Sequence, residues 1–245
     1  MTLSSSPPKD TSHRKHAQQS HSMATKRLTF KSNNLQKDMT LMLCFTPPDA
    51  NLLVDLFPIA WKVTTFAARA QGVLNVTWTA DLAVSATQVE GSLVTAGNYT
   101  PIRLGQTTKL HLDQATSPPI RYWSNPKALP NGDPDMIYAV NRTGRQETIG
   151  IGFITDLNTP DEDVSLALAS PNVRDTLTLS AAAFTPLLTA YLVGVGDYDY
   201  KQGQLIKGDI VNETPIWMQH LPELQPNTTV VIGQDATGAY TVEEK

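Results

Sequence analysis

Cysteine and histidine are scarce in this sequence of 245 residues, which contains one cysteine and five histidines. A single cysteine excludes an internal disulfide and mildly favours a reducing compartment. No apolar run approaches the roughly 18 residues of a transmembrane helix, and the N-terminal segment lacks the apolar stretch of a secretory signal. We therefore expect a cytoplasmic protein with no membrane partner.

Motifs of the common enzyme classes are also absent. Only His111 and His220 lie outside the N-terminal segment, and no G-x-S-x-G sequence supplies the serine of a catalytic triad. The chain has neither H-E-x-x-H nor C-x-x-C, and its glycine-rich stretches lack the register of a phosphate-binding loop. We expect no catalytic residue, no metal site and no cofactor, and the sequence favours a non-enzymatic protein.

The one cysteine lies within an apolar stretch, TLMLCFT. Cys44 stands between Leu43 and Phe45, and apolar residues occupy both faces of the strand that this stretch predicts. A catalytic thiol needs a nearby base and an electropositive, partly exposed position. We predict that Cys44 is a core residue in a strand covered on both faces.

Short runs of alternating apolar and polar residues dominate the rest of the chain. In VLNVTWTA, for example, Val76 and Trp78 share one face, and QDATGA predicts a hairpin turn with Gly238 at positive φ. These runs predict an all-β fold, a single-domain β-sandwich of jelly-roll or immunoglobulin-like type over residues 26–245. One short helix is expected after Asp49.

Formal charge is distributed unevenly along the chain. Five basic residues and one acidic residue give residues 1–27 a charge of +4, which leaves −8 on the remainder. The Ser, Pro, Gln and His content of this segment predicts a disordered, mildly basic tail over residues 1–25. Its charge is too small to make nucleic acid the expected partner.

Two stretches combine aromatic and acidic residues. Residues 114–135, rich in Pro, Asn and Gly, are interpreted as a surface loop whose Trp123 either stacks on a sugar or pins the loop to the sheet. GDYDYKQG is expected at a hairpin tip, whose tyrosines either form an exposed contact surface or stack on the strand of the tip itself. The predicted ligand-binding residues are Tyr122, Trp123, Asn125, Asp133, Tyr198 and Tyr200.

From CFTPPDANLLVDLFPIAWKVTTF through VTWTADLAVSATQVEGSLVTAG to IRLGQTTKL, the sequence resembles intracellular β-rich proteins of mushroom-forming fungi. These proteins have a single domain of similar length and no assigned activity. The resemblance implies a cytosolic, β-rich fungal protein. It transfers no functional residue.

Three functions are consistent with these observations. The first is a non-enzymatic, lectin-like binding or self-associating protein, with a glycan, a protein or its own copies as partner. The second is a shell or coat-like subunit with a basic N-terminal arm. The third is an enzyme that uses two carboxylates in one cleft, for which Asp133, Asp135 and Glu147 are the candidates.

Overall fold

A computed structural model describes residues 25–46, 56–129, 132–155, 164–180, 187–193, 200–206 and 214–245. Almost all regular structure in these residues is strand, with one turn of 3-10 helix at Leu221–Glu223. The predicted all-β class is therefore confirmed. The helix expected after Asp49 lies outside the described residues, as does the predicted tail except for Thr25, which begins the first strand.

The described residues form twenty strands. In chain order these are β1 (Thr25–Asn33), β2 (Met39–Thr46), β3 (Phe57–Pro58), β4 (Ala60–Phe66), β5 (Val73–Thr79), β6 (Leu82–Ala86), β7 (Gln88–Glu90), β8 (Leu93–Thr95), β9 (Tyr99–Pro101), β10 (Gln106–Asp113), β11 (Ile120–Trp123), β12 (Lys127–Ala128), β13 (Met136–Asn141), β14 (Glu147–Ile154), β15 (Val164–Val173), β16 (Thr176–Ser180), β17 (Leu187–Val193), β18 (Trp217–His220), β19 (Asn227–Gln234) and β20 (Tyr240–Glu244).

These strands assemble into four larger sheets and one hairpin. Sheet I has the order β20-β19-β1-β5, and sheet II has the order β18-β17-β2-β4. Sheet III has the order β3-β15-β14-β6-β9. Sheet IV has the order β11-β10-β13-β16, with the short strand β12 also paired to β10. The remaining strands, β7 and β8, pair with each other.

One large hydrophobic cluster, the main core, draws side chains from all four sheets. Phe30 of sheet I packs edge-on against Trp217 of sheet II, with ring centroids 5.5 Å apart. Phe45 of sheet II contacts Trp61 and Phe153, at 4.9 and 5.0 Å between centroids. Buried aromatic area of this kind is the principal source of stability in such a fold. The sandwich layers thus share a single interior.

Sheet I is buried on one face only. Leu28 and Phe30 of β1 point into the main core, whereas Arg27 and Lys31 are exposed on the opposite face. The hairpin between β19 and β20 turns at Gly238, whose φ is +84°. The predicted turn and its positive φ are confirmed.

The central strands of sheet II, β2 and β17, are buried on both faces. On β2, Leu41 and Leu43 pack in the main core. Met42 and Cys44 point the opposite way, into a second cluster that also contains Tyr200. The predictions of a strand covered on both faces and of Cys44 as a core residue are confirmed. Sheet III has the same character, because Ile149 and its neighbours face the main core while a third cluster covers the other side.

Sheet IV is buried on one face, and it corrects one prediction. Ile137 and Ala139 of β13 pack in the main core, so the alternate residues of this strand face outwards. The stretch 114–135 was interpreted as a loop, but β11 and β12 lie within it and pair with β10. A four-residue strand flanked by prolines, as IRYW is, gives too short an alternating pattern to be identified from composition.

Candidate functional site

The outer face of sheet IV carries aromatic side chains. His111 of β10 and Tyr122 of β11 are directly opposite each other in the antiparallel register, and both point away from the main core. Arg121 and Trp123, the neighbours of Tyr122 along the strand, point inwards. Alternation along one short strand therefore places one aromatic residue on each side of the sheet.

Tyr122 is held as an exposed platform. Its ring stacks on the imidazole of His111, with centroids 5.2 Å apart and planes inclined by 18°. Tyr122 is nevertheless 48% exposed, and Ile120 on the same face of β11 is 49% exposed. Because β11 is the outer strand of the sheet, the ring face that turns away from His111 is directed towards the margin of the sheet.

Tyr138 extends this surface across the sheet. On β13, it lies between Thr107 of β10 and Thr178 of β16 in the cross-strand register. Strand spacing and residue rise place the backbones of Tyr122 and Tyr138 about 16 Å apart. We call the surface formed by His111, Ile120, Tyr122 and Tyr138 the aromatic face. The exposed Lys109 of β10 lies on the same side of the sheet between the two tyrosines, and the hydroxyls of Thr107 and Thr178 flank Tyr138.

Hydrogen bonds with the loops of sheet III fix β11. The indole nitrogen of Trp123 donates a hydrogen bond to the carbonyl oxygen of Asn98 at 2.9 Å. The side-chain amide of Asn98 donates in turn to the carbonyl oxygen of Arg121. Arg121 also donates through Nη1 to the carbonyl oxygen of Thr87 at 2.9 Å. These contacts tie the strand that carries Tyr122 to the loops of sheet III.

A buried carboxylate completes this attachment. Glu147, at the start of β14, has a side chain only 4% exposed, and each of its oxygens is paired with a guanidinium. Arg121 Nη1 lies 3.1 Å from Oε2, and Arg145 Nε lies 2.6 Å from Oε1. A buried charge with both oxygens satisfied is stable where an unpaired one is not. We call Glu147 and its two arginines the buried ion cluster.

The structure places the ligand-binding residues predicted within 114–135 on different surfaces. Tyr122 and Trp123 lie on opposite faces of β11, and Trp123 is partly buried against the main core, as the pinning alternative expected. Asn125 is exposed just beyond β11. Asp133 is exposed in the turn before β13, at the end of sheet IV that lies away from Tyr122. Only Tyr122 therefore belongs to the aromatic face.

The second predicted region is only partly described. Tyr198 lies outside the described residues. Of the two alternatives for Tyr200, the structure excludes an exposed contact surface, because Tyr200 is buried in the second cluster beside Met42 and Cys44. Tyr200 is buried because the segment that follows it, through Gly203, bonds to β4 and β8 and covers sheet II.

Sequence reasoning missed His111, Ile120 and Tyr138 as members of one surface. Each occurs in an alternating run, and His111 was weighed only as a possible base. The signal that could have found them is the pairing of TTKLHLD with IRYW, which sets His111 against Tyr122. Such a pairing is long-range information that a single sequence does not contain.

The three candidate carboxylates do not meet. Asp133 and Asp135 precede β13, whereas Glu147 follows the turn at its far end, a separation of about 16 Å along the strand. Asp133 accepts a hydrogen bond from the backbone of Asp135, which closes a local turn. Glu147 is held in the buried ion cluster. In the described part of the chain, no three Asp, Glu, His or Cys side chains are grouped so that they could hold a metal ion.

Burial suppresses the reactivity of Cys44. Desolvation raises the pKa of its thiol to about 12, a shift that a hydrogen bond with Thr46 only partly opposes. The thiolate is the reactive species, so the thiol is inert at neutral pH. A separate cleft of about 330 Å³ lies between β4, β8 and β15 and exposes Lys62 and Gln202. Its described lining contains no carboxylate, imidazole or thiol.

Comparison with known proteins gives no relative: the chain matches no family model, no curated protein and no solved structure. Among the described residues, none of the helical structure is long and apolar enough to cross a membrane. Functional inference therefore depends on the geometry of the aromatic face.

Proposed function

We propose that this protein is a carbohydrate-binding protein and that the aromatic face of sheet IV is its binding surface. The observation that carries the proposal is the half-exposed Tyr122 ring, stacked on His111 and fixed from below. The C–H groups of a sugar ring pack on an aromatic face, while hydroxyl and amide groups orient the sugar hydroxyls.

Several features favour a glycan over a protein ligand. The surface combines two tyrosines with threonines such as Thr107 and Thr178, rather than a contiguous apolar patch. Its length of about 16 Å between tyrosine backbones suits a short oligosaccharide more than a single sugar. The stacking of Tyr122 on His111 and the buried ion cluster pre-organise this surface. Such pre-organisation reduces the entropy that is lost on binding.

The cytoplasm is the proposed location. Its support is the single cysteine, Cys44, a free thiol buried in the core, which requires no oxidising environment. A cytoplasmic glycan-binding protein would meet ligands taken up, released by damage or made inside the cell.

An oligosaccharide array followed by titration calorimetry tests the proposal. We expect wild-type protein to bind at least one oligosaccharide, and Tyr122→Ala to weaken that binding about tenfold because a stacking contact is lost. Tyr122→Phe keeps the ring and should retain most of the affinity. Met218→Ala is the matched control, since Met218 is 49% exposed on sheet II and distant in the fold.

Two results would contradict this function. One is that the array shows no bound oligosaccharide at millimolar concentration. The other is that a bound oligosaccharide loses no affinity in Tyr122→Ala, which would remove the aromatic face from the site. Circular dichroism of each variant checks that the fold is retained.

A further inference from the structure

β5 lies at one edge of sheet I, where among the described strands it pairs with β1 alone. We propose that this edge is a self-association site, at which β5 pairs antiparallel with β5 of a second copy of the chain around Val76. The two four-stranded sheets would then become one continuous eight-stranded sheet. This proposal is independent of carbohydrate binding, because sheet I and the aromatic face of sheet IV share no residue.

The hydrogen-bond pattern between β1 and β5 shows which backbone groups of β5 point away from β1. Ser32 donates its backbone N–H to the carbonyl oxygen of Gly72, so the residues of β5 that bond to β1 are the even-numbered ones. The backbone groups of Val73, Asn75 and Thr77 therefore point away from β1, as do those of Thr79. Among the described residues, no other strand pairs with this edge, and its contact with β14 is a hydrogen bond from the Thr79 hydroxyl to the carbonyl oxygen of Ile154.

The open edge is complementary to itself. When Val76 faces Val76 of the second copy, Asn75 faces Thr77 and Val73 faces Thr79. All four are residues whose N–H and C=O groups point outwards, so every outward donor meets an outward acceptor. Unpaired edge groups are a template for this kind of strand addition.

The same register matches side chains on both faces. Leu74 and Trp78 of β5 point towards the main core and would meet the corresponding residues of the second copy. Val73, which is 56% exposed, would be covered by Thr79 of that copy.

The distribution of charged residues favours β5 over β20, the opposite edge strand of sheet I, as the site of association. β5 contains no charged residue, whereas β20 ends in Glu243 and Glu244, and charged side chains are a common protection of strand edges. The nearest cations, Arg27 and Lys31, lie on β1. In the paired form the two β1 strands are about 14 Å apart, farther than the roughly 8 Å over which charge acts at physiological salt. Pairing therefore brings no strong repulsion.

Sedimentation velocity of the full chain over a range of concentrations tests the proposal first. We expect a reversible dimer, and Thr77→Lys should raise its dissociation constant about tenfold, because the two new ammonium groups become diagonal neighbours about 7–8 Å apart. Thr241→Lys is the matched control, as Thr241 is exposed on the outer face of β20 in the same sheet. This control should dimerise like the wild type.

A cross-linking experiment tests the register. A mixture of Asn75→Cys and Thr77→Cys proteins should form a disulfide heterodimer, since directly opposed residues have Cα atoms about 5.5 Å apart. Asn75→Cys alone should cross-link poorly, and the buried Cys44 should not compete.

Each alternative outcome overturns the proposal. A chain that stays monomeric at every concentration excludes the association, and a dimer indifferent to Thr77→Lys excludes this edge. Equal cross-linking by Asn75→Cys alone excludes the register around Val76. Oligosaccharide binding by Thr77→Lys should match the wild type, which separates a failure here from a failure of the carbohydrate proposal.

Discussion

β1 and β2 follow each other in the chain and both contribute to the main core, but their other faces differ. β1 alternates between buried and exposed residues, with Arg27 and Lys31 facing solvent, whereas β2 is buried almost throughout. The difference arises because Tyr200 and Ile206 form a further layer over sheet II, and none of the described residues forms such a layer over sheet I. Sheets I and IV therefore have an outer face, whereas the central strands of sheets II and III are covered on both faces.

Both proposals follow from this division. A sheet buried on both faces can offer neither an open side-chain face nor much tolerance of polar groups. The aromatic face and the open edge of β5 accordingly lie on sheets with a solvent-facing side. Substitutions that distinguish doubly buried sheets from singly buried ones test the comparison directly.

The largest loss of stability is expected on substitution of Glu147, a charged residue of sheet III, whose central strands are buried on both faces. Glu147→Ala leaves Arg121 partly buried without a counter-charge and should lower the free energy of unfolding by about 3–5 kcal/mol. Its control is Glu243→Ala on sheet I, which breaks an exposed ion pair with Lys245 and should cost less than about 1 kcal/mol. Urea unfolding measures both. Equal losses would contradict the contrast between the sheets.

A smaller difference in stability is expected between a substitution on the second face of sheet II and one on the outer face of sheet I. Val193 is buried in the second cluster, and Val231 is half-buried on sheet I. Val193→Ala should lower stability by about 2 kcal/mol through lost burial and a cavity, and Val231→Ala by only about 0.5 kcal/mol. Thermal or urea unfolding compares this residue-matched pair. A Val231→Ala loss as large as that of Val193→Ala would show that sheet I is also covered.

The smallest effect concerns the pH dependence contributed by Cys44. Its pKa is about 12 in the folded chain and about 9 when unfolded, so the thiol adds no pH dependence below pH 9. Above pH 9 the unfolded thiol loses its proton first, and stability should fall by about 1 kcal/mol per pH unit. Cys44→Ala should lack this component.

Urea unfolding between pH 8 and pH 10 measures the difference between the two proteins. Burial also raises the pKa of Tyr191 and this cause is present in both proteins, whereas the smaller rise caused by the neighbouring Cys44 is lost together with the thiol. If the free energy of unfolding changed equally with pH in the wild type and in Cys44→Ala, the thiol would not be desolvated in the folded chain.

Regular alternation made much of the fold predictable. The strands around Leu28, Cys44 and Val76, and the turn at Gly238, follow from local pattern because each buries a consistent set of side chains. The aromatic face could not be predicted. It depends on β11, a strand of four residues, and on the pairing of His111 with Tyr122 across the prolines between them. The buried ion cluster depends likewise on contacts between residues far apart in sequence.

The parallel pairing of β1 with β19 has a consequence for synthesis. Arg27 pairs with Asn227, so on a ribosome that adds about 5–20 residues per second, roughly 10–40 s separate the two strands. During that time β5 can occupy one edge of β1, while the other edge waits for its partner. The last strands made thus decide when the first can finish folding, and a stalled ribosome leaves a nascent chain with an open strand at its centre.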